Sequence, residues 1–76
     1  MEKFLVISYY EGNINVDVVK NTYEESKKWM DNDVKDFITP TESEEINELD
    51  YWIGTHSAFA NVDDDRCDWK IESIDV

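Results

Sequence analysis

A chain of 76 residues forms one domain, and a hydrophobic content of 41% with three Trp, four Tyr and three Phe is too high for a disordered acidic tail. The net charge of −12 disfavours direct binding to nucleic acid or to an anionic membrane, because both surfaces repel it. The partner that this charge favours is a basic protein.

The first predicted element is a β-hairpin. KFLVISYY, residues 3–10, is β-branched and aromatic with apolar residues on both faces, which is typical of a strand buried on two sides or paired centrally under a helix. Gly12 and Asn13 can adopt the positive φ that a tight turn requires. The second strand is predicted from apolar residues that alternate with polar ones: Ile14, Val16 and Val18.

A helix is predicted over residues 23–38. Thr22 can cap the amide of Glu25, and the Glu25 side chain can reach back, which completes a capping box. The apolar residues fall on one face of this helix. They are Tyr23, Met30, Val34, Phe37 and Ile38.

A second, short helix is predicted over residues 41–51. Thr39 can act as its N-cap, Pro40 suits the first helical position and Glu42 suits the third, where the helix dipole favours an acid. Ile46, Leu49 and Ile53 share one face at spacings of three and four. The acidic face would then point to solvent.

The rest of the chain predicts a second hairpin, although residues 52–62 also fit an extension of the helix. The first strand covers residues 56–62, DDDR at 63–66 forms a polar turn, and Cys67, Trp69 and Ile71 alternate in the second strand. The apolar phase then shifts to Ile74 and Val76, which indicates a bulge or fraying near residues 72–73.

These elements predict a single α+β domain over residues 1–76, of order β-β-α-α-β-β, with the helices packed on one face of an antiparallel sheet. The start, MEKFLVISYY, lacks the features of a signal peptide, and no apolar run reaches the ~20 residues of a membrane span. We therefore expect a cytoplasmic protein without a membrane partner.

The candidate catalytic and metal-binding groups give weak signals. Cys67 and His56 are the one nucleophile–base pair available, but the acids beside Cys67 disfavour its thiolate, so a packed strand cysteine is the expected role. The four acids of the DDDRCD stretch do not match the EF-hand spacing. The sequence predicts no enzyme activity, no metal and no cofactor.

The acidic surface is the stronger signal, because residues 36–76 carry twelve acids and two bases. Rows of carboxylates a few ångströms apart can imitate a nucleic-acid backbone, and exposed aromatics can supply an anchor beside them. The expected binding residues are Glu42, Glu44, Glu45, Glu48, Asp50, Tyr51, Trp52, Asp63, Asp64, Asp65 and Asp68. Acidity that serves solubility alone is the simpler alternative.

In size, acidity, lone cysteine and aromatic density, and in the runs ESEEINELD and NVDDDRCD, the chain resembles the small inhibitors that phages and mobile elements make against host defences, such as anti-CRISPR and DNA-mimic proteins. The resemblance implies a non-enzymatic inhibitor that binds a basic nucleic-acid-handling protein, such as a CRISPR effector or nuclease, in the host cytoplasm, by mimicry or occlusion. The alternative is a small adaptor that uses an apolar patch or a sheet edge. A homodimer through the last strand belongs to that alternative.

Overall fold

The computed structural model describes residues 1–39 and 49–76, which form an antiparallel five-stranded sheet and one helix. In chain order the elements are β1 (Glu2–Tyr10), β2 (Asn13–Lys20), α1 (Tyr23–Ile38), β3 (Leu49–Ile53), β4 (Ser57–Val62) and β5 (Asp65–Asp75). The strands lie in the order β2-β1-β5-β4-β3. The α+β class is confirmed, and the order over the described residues is β-β-α-β-β-β.

The first hairpin is confirmed, but its turn residues differ from the predicted ones, and the apolar residues of β2 do not all lie on one face. Tyr10 pairs with Asn13, so the two turn residues are Glu11 and Gly12, with φ of 51° and 81°. A register shift opposite Val6 and Ile7 leaves Asp17 as an extra residue in β2. The predicted single apolar face of β2 is therefore wrong, because the bulge turns Val18 toward the helix while Ile14 and Val16 face the other side.

Helix α1 agrees with its prediction at both ends. The Glu25 amide donates to Thr22 Oγ1 at 3.2 Å, and the Thr22 hydroxyl donates to Glu25 Oε1 at 3.1 Å. The helix ends where the amide and hydroxyl of Thr39 both donate to the carbonyl of Lys35. Its inner face buries Met30 and Val34 completely, together with Ser26, whose hydroxyl donates to the Tyr23 carbonyl.

The core lies between α1 and one face of the sheet. Its buried apolar residues are Val6, Met30, Val34, Ala58, Ala60, Cys67, Trp69 and Ile71. The small side chains of Ala58 and Ala60 leave room for the helix to approach β4, and Trp69 fills the space beside them. The Trp69 indole N–H donates to Asp33 Oδ2 at 2.8 Å, which anchors the helix to the central strand.

The prediction of a second helix over residues 41–51 is wrong where the structure describes it. Leu49, Asp50 and Tyr51 belong to β3 and pair with Val62, Asn61 and Ala60 of β4. Leu49, Tyr51 and Ile53 alternate with polar or solvent-facing residues, so the segment fits the two-residue repeat of a strand as well as a helical spacing. Pairing with β4 decides in favour of the strand. Residues 40–48 lie outside the described residues.

The second hairpin is confirmed, as β4 and β5, and residues 52–62 do not extend a helix. The turn is shorter than the predicted 63–66, because Asp63 and Asp64 alone form it, with φ of 48° and 72°, and Asp65 and Arg66 already pair within β5. The expected bulge or fraying near residues 72–73 is wrong, since β5 pairs with β1 in continuous register as far as Asp75. Ile74 departs from the earlier phase because it lies on the sheet face opposite the helix.

Candidate interaction surfaces

Four acids gather at one end of the sheet, on two neighbouring turns. Glu11 belongs to the β1–β2 turn, Asp63 and Asp64 form the β4–β5 turn, and Asp65 begins β5. Because Tyr10 pairs with Cys67, β1 and β5 lie side by side and bring both turns to the same end. We call Glu11, Asp63, Asp64 and Asp65 the acidic end.

The acidic end has an ordered polar contact with the sheet. The Tyr10 hydroxyl donates to Asp65 Oδ2 at 2.7 Å across the two strands. This hydrogen bond, together with the nearby negative charge, raises the pKa of Tyr10 to about 12. The contact holds the Asp65 carboxylate at a fixed position beside the two turns.

The predicted binding residues fall into separate places. Asp63, Asp64 and Asp65 lie together at the acidic end, whereas Asp68 and Trp52 lie on the sheet face opposite the helix. Asp50 is on that face too, and Tyr51 is on the helix side of β3. Glu42, Glu44, Glu45 and Glu48 lie outside the described residues. Glu11 was not predicted as a binding residue, although its position at a predicted hairpin turn indicates an exposed acid.

The sheet face opposite the helix, which we call the open face, is unusually apolar. The side chains that alternation and register place there include six large, exposed hydrophobic residues: Tyr9, Ile14, Val16, Val19, Trp52 and Ile74. Ile14 is 71% exposed and Val16 is 57% exposed, because α1 covers only the other side. An exposed apolar surface of this kind commonly marks an interaction site.

The charges on the open face balance, although the protein is strongly acidic. Register places three bases on this face, Lys3, Arg66 and Lys70, and three acids, Asp50, Asp68 and Glu72. The other described residues then carry twelve acids and four bases, a net of −8. Among the described residues, the excess negative charge thus lies away from the open face.

Most of the charge on the open face forms a stripe along β5. In order along the strand, the outward side chains are Arg66, Asp68, Lys70 and Glu72. Arg66 donates to both carboxylate oxygens of Asp68, at 3.0 and 3.2 Å, and Lys70 lies 2.6 Å from Glu72 Oε1. The hydrogen bonds to Asp68 raise the pKa of Arg66. We call these four residues the β5 charge stripe.

A shallow groove of about 400 Å³ lies across the centre of the open face. Apolar rings and aliphatic chains line it on both sides of the stripe, including Ile7, Tyr9 and Ile14 on one side and Phe59 and Trp52 on the other. The Trp52 indole lies over Gly54, where an added Cβ would come within 2.2 Å of the ring. Gly54 therefore leaves room for the exposed indole, which a side chain at this position would displace.

The one nucleophile–base pair that the sequence offers is not assembled, and Cys67 is packed in a strand as expected. Cys67 pairs with Ala60 on the neighbouring strand β4. His56 lies four residues before Ala60, and four residues of extended chain span roughly 13 Å. His56 instead packs against the Tyr23 ring, with centroids 5.2 Å apart. Cys67 is a buried free thiol whose pKa is raised to about 12, first by burial and then by Asp33 and Asp68.

Comparison with known proteins returns no match to any family model, curated protein or solved structure. Within residues 1–39 and 49–76, no helix is long and apolar enough to cross a membrane. The same residues contain no group of three or more His, Cys, Asp or Glu side chains arranged to hold a metal ion.

Proposed function

We propose that this protein is a non-enzymatic inhibitor whose acidic end binds a basic, nucleic-acid-handling protein, such as a CRISPR effector or nuclease, and occludes its nucleic-acid site. The observation that carries the proposal is the gathering of four carboxylates on two adjoining turns and the first residue of β5. The target's Arg and Lys residues would pair with these carboxylates as they pair with phosphates.

The geometry of the acidic end supports this role. Neighbouring strands are spaced by about 4.8 Å, so acids on adjoining turns are separated by distances that one row of basic side chains can span. Turn residues 11–12 and 63–64 include no base, and Arg66, just beyond them, pairs with Asp68. The acidic end thus carries four acids on residues close in the fold, which favours capture of a positively charged partner.

Residues 42, 44, 45 and 48 add four more acids to the proposal. They belong to the acids expected to bind, and they lie outside the described residues. We expect Glu→Gln changes at positions 44, 45 and 48 to weaken target binding with little loss of folding.

The test is capture of the target from nuclease-treated host-type lysate by the tagged protein, followed by elution with salt or with a short DNA or RNA duplex. The proposal expects a basic protein that is retained at about 0.1 M NaCl, lost by about 0.5 M, and displaced by nucleic acid. A captured protein that nucleic acid does not displace would contradict occlusion of a nucleic-acid site.

Paired variants identify the binding surface. Asp63→Asn/Asp64→Asn removes two charges from the acidic end, and Glu2→Gln/Asp75→Asn removes two from the opposite end of the sheet. The first pair should weaken target binding about tenfold or more, and the second should change it little. Equal effects would indicate that overall charge, rather than the acidic end, governs binding.

The exposed apolar surface of the open face favours a second candidate, an adaptor that binds its partner there while acidity serves solubility. Such binding should persist at about 0.5 M NaCl, since screening weakens charge pairs more than apolar contacts. Trp52→Ala should disrupt it, whereas Asp63→Asn/Asp64→Asn should not. The two candidates therefore give opposite results with the same variants.

A further inference from the structure

We infer that the open face is a homodimer interface in which a second copy packs face to face with antiparallel strands, so that Asp68 of each copy faces Lys70 of the other. Such a dimer does not depend on the proposed inhibitor function. It differs from the predicted homodimer through an edge of the last strand, since β5 is not an edge strand but lies between β1 and β4. The contact proposed here is made by side chains of the sheet face.

The β5 charge stripe is complementary to itself in one orientation. Its order is basic, acidic, basic, acidic, at Arg66, Asp68, Lys70 and Glu72. When a second stripe is laid over the first in the reverse direction, Asp68 faces Lys70 and Arg66 faces Glu72, and each contact occurs twice by symmetry. In the parallel orientation every residue would face a residue of the same charge.

The two-fold axis that gives this arrangement lies between the sheets, perpendicular to the strands, at the level of Trp69. It keeps the lateral order of the strands, so β1 and β2 face their own counterparts. The row Ile14–Tyr9–Asp68 of one copy then faces the row Val16–Ile7–Lys70 of the other. Apolar side chains therefore meet apolar side chains on the β1–β2 side of the charged stripe, while Phe59 of one copy faces the row of Ser57 in the other.

The distribution of charge over the whole molecule favours the same orientation. The acidic end lies at one end of β5, where the β4–β5 turn precedes the strand. Antiparallel packing places the two acidic ends at opposite ends of the dimer, whereas parallel packing would bring them together. Two acidic proteins can therefore associate through a surface on which the charges of the described residues balance.

The expected contributions of the two kinds of contact differ. Packing of two sheets about 10 Å apart would remove the exposed aliphatic and aromatic side chains from water and supply most of the affinity. The charge stripe would supply orientation, because charged pairs at interfaces contribute more to specificity than to affinity. Its internal pairs, Arg66–Asp68 and Lys70–Glu72, would become part of a larger alternating network.

The test uses charge reversal at the centre of the stripe. Asp68→Lys places two bases opposite two bases in a homodimer, and Lys70→Glu places acids opposite acids. Each change alone should weaken the dimer by about 10- to 100-fold. An equimolar mixture should restore association, because the two bases at the stripe centre of the first variant then face the two acids at the stripe centre of the second.

Sedimentation velocity at micromolar concentration and about 0.15 M NaCl measures the outcome. Wild type and the mixture should sediment as dimers, at twice the 9.0 kDa monomer mass, and each variant alone as a monomer. Control reversals on the exposed surface of α1, Glu24→Lys and Lys28→Glu, should leave the dimer intact. Far-UV circular dichroism checks that every variant is folded.

A monomeric wild type would overturn the inference, and so would single variants that dimerise as well as wild type. A mixture of folded variants that stays monomeric would overturn the antiparallel arrangement. If either reversal prevents folding, Val16→Lys replaces it, since Val16 is 57% exposed and contributes little to the core. That variant should be a folded monomer, and a Val16→Lys dimer would contradict the proposed face.

Discussion

At the residue scale, backbone strain is concentrated in the two hairpin turns. Glu11, Asp63 and Asp64 all have positive φ, between 48° and 72°, a region in which residues with a Cβ are uncommon. Both turns have positive φ at their two central positions, the type I′ pattern that favours Asn-Gly and Asp-Gly. Asp tolerates this conformation better than Glu, so the least suitable residue is Glu11.

We expect Glu11→Asn to increase the free energy of unfolding by about 0.5–1 kcal/mol, because Asn-Gly suits a type I′ turn. Urea unfolding measures the change. Glu11→Gln removes the same charge without the same tolerance of positive φ, and it serves as the matched control. If both variants gain the same stability, relief of charge repulsion is the cause and turn conformation is not.

Cys67 should make the protein less stable at alkaline pH. Burial raises the pKa of this thiol from 9.0 to about 12 in the folded state, while the unfolded thiol keeps its ordinary value. Between these values the unfolded state loses a proton that the folded state retains, so stability is complete below about pH 9 and falls as the pH rises toward 12. The hydrogen bond that raises the pKa of Tyr10 acts in the same direction above pH 10.

The expected result is that Cys67→Ala loses less stability than wild type between about pH 8 and about pH 10.5. Urea unfolding at the two pH values gives the change in the free energy of unfolding for each protein. Each protein serves as its own reference at the lower pH, so the loss of the side chain itself cancels. Parallel losses in the two proteins would show that another group controls the alkaline transition.

At the scale of elements, one helix holds one side of the sheet, and its start depends on Thr22. We expect Thr22→Ala to lower the free energy of unfolding by about 1 kcal/mol, because it removes the side chain that accepts from the Glu25 amide. Thr22→Ser retains the hydroxyl and should retain most of the stability. Thermal unfolding compares the two, and equal losses would show that the methyl group, not the cap, is responsible.

The elements that the sequence predicts correctly are those whose local signals agree. In α1 the Thr22 cap, the apolar spacing and Pro40 after its end all indicate the same helix, and both boundaries are confirmed. Leu49–Ile53 carries apolar residues at spacings that fit a helix or a strand, and only its pairing with β4 decides between them. The Asp17 bulge has no composition signal, because it depends on the register of β1 against β2.

The same limit applies to the candidate surfaces. Adjacent acids at positions 63–65 predict a charged turn, but nothing local brings Glu11 beside them, since that requires the pairing of β1 with β5. The open face was not predicted, because Leu5, Ile7 and Tyr9 fit a strand that is buried on both faces. Whether a second sheet face is buried depends on the helices available to cover it, which a single strand does not reveal. Apolar alternation predicts which residues share one face of a strand, whereas the element that covers this face depends on the whole fold.

At the scale of the whole molecule, the charges of the described residues are separated into a balanced face and a strongly acidic remainder. A net charge of −12 on 76 residues repels itself, and the acids at positions 63–65 concentrate that repulsion near Glu11. Salt screens such repulsion over a Debye length of about 10 Å at 0.1 M and about 3 Å at 1 M. Stability should therefore rise with ionic strength, unlike that of a protein held by surface ion pairs.

We expect the free energy of unfolding to increase between about 0.05 and about 0.5 M NaCl, and to increase less in Asp63→Asn/Asp64→Asn, which has less repulsion to screen. Glu2→Gln/Asp75→Asn removes as many charges near the Met1 ammonium, which already pairs with Asp75 at 3.1 Å, so its salt dependence should stay close to that of wild type. Protein concentration is held constant because dimerisation would itself add stability. A salt response that is equal in all three proteins would mean that the acidic end is no more strained by charge than the rest of the surface, and that the four carboxylates are held together at little electrostatic cost.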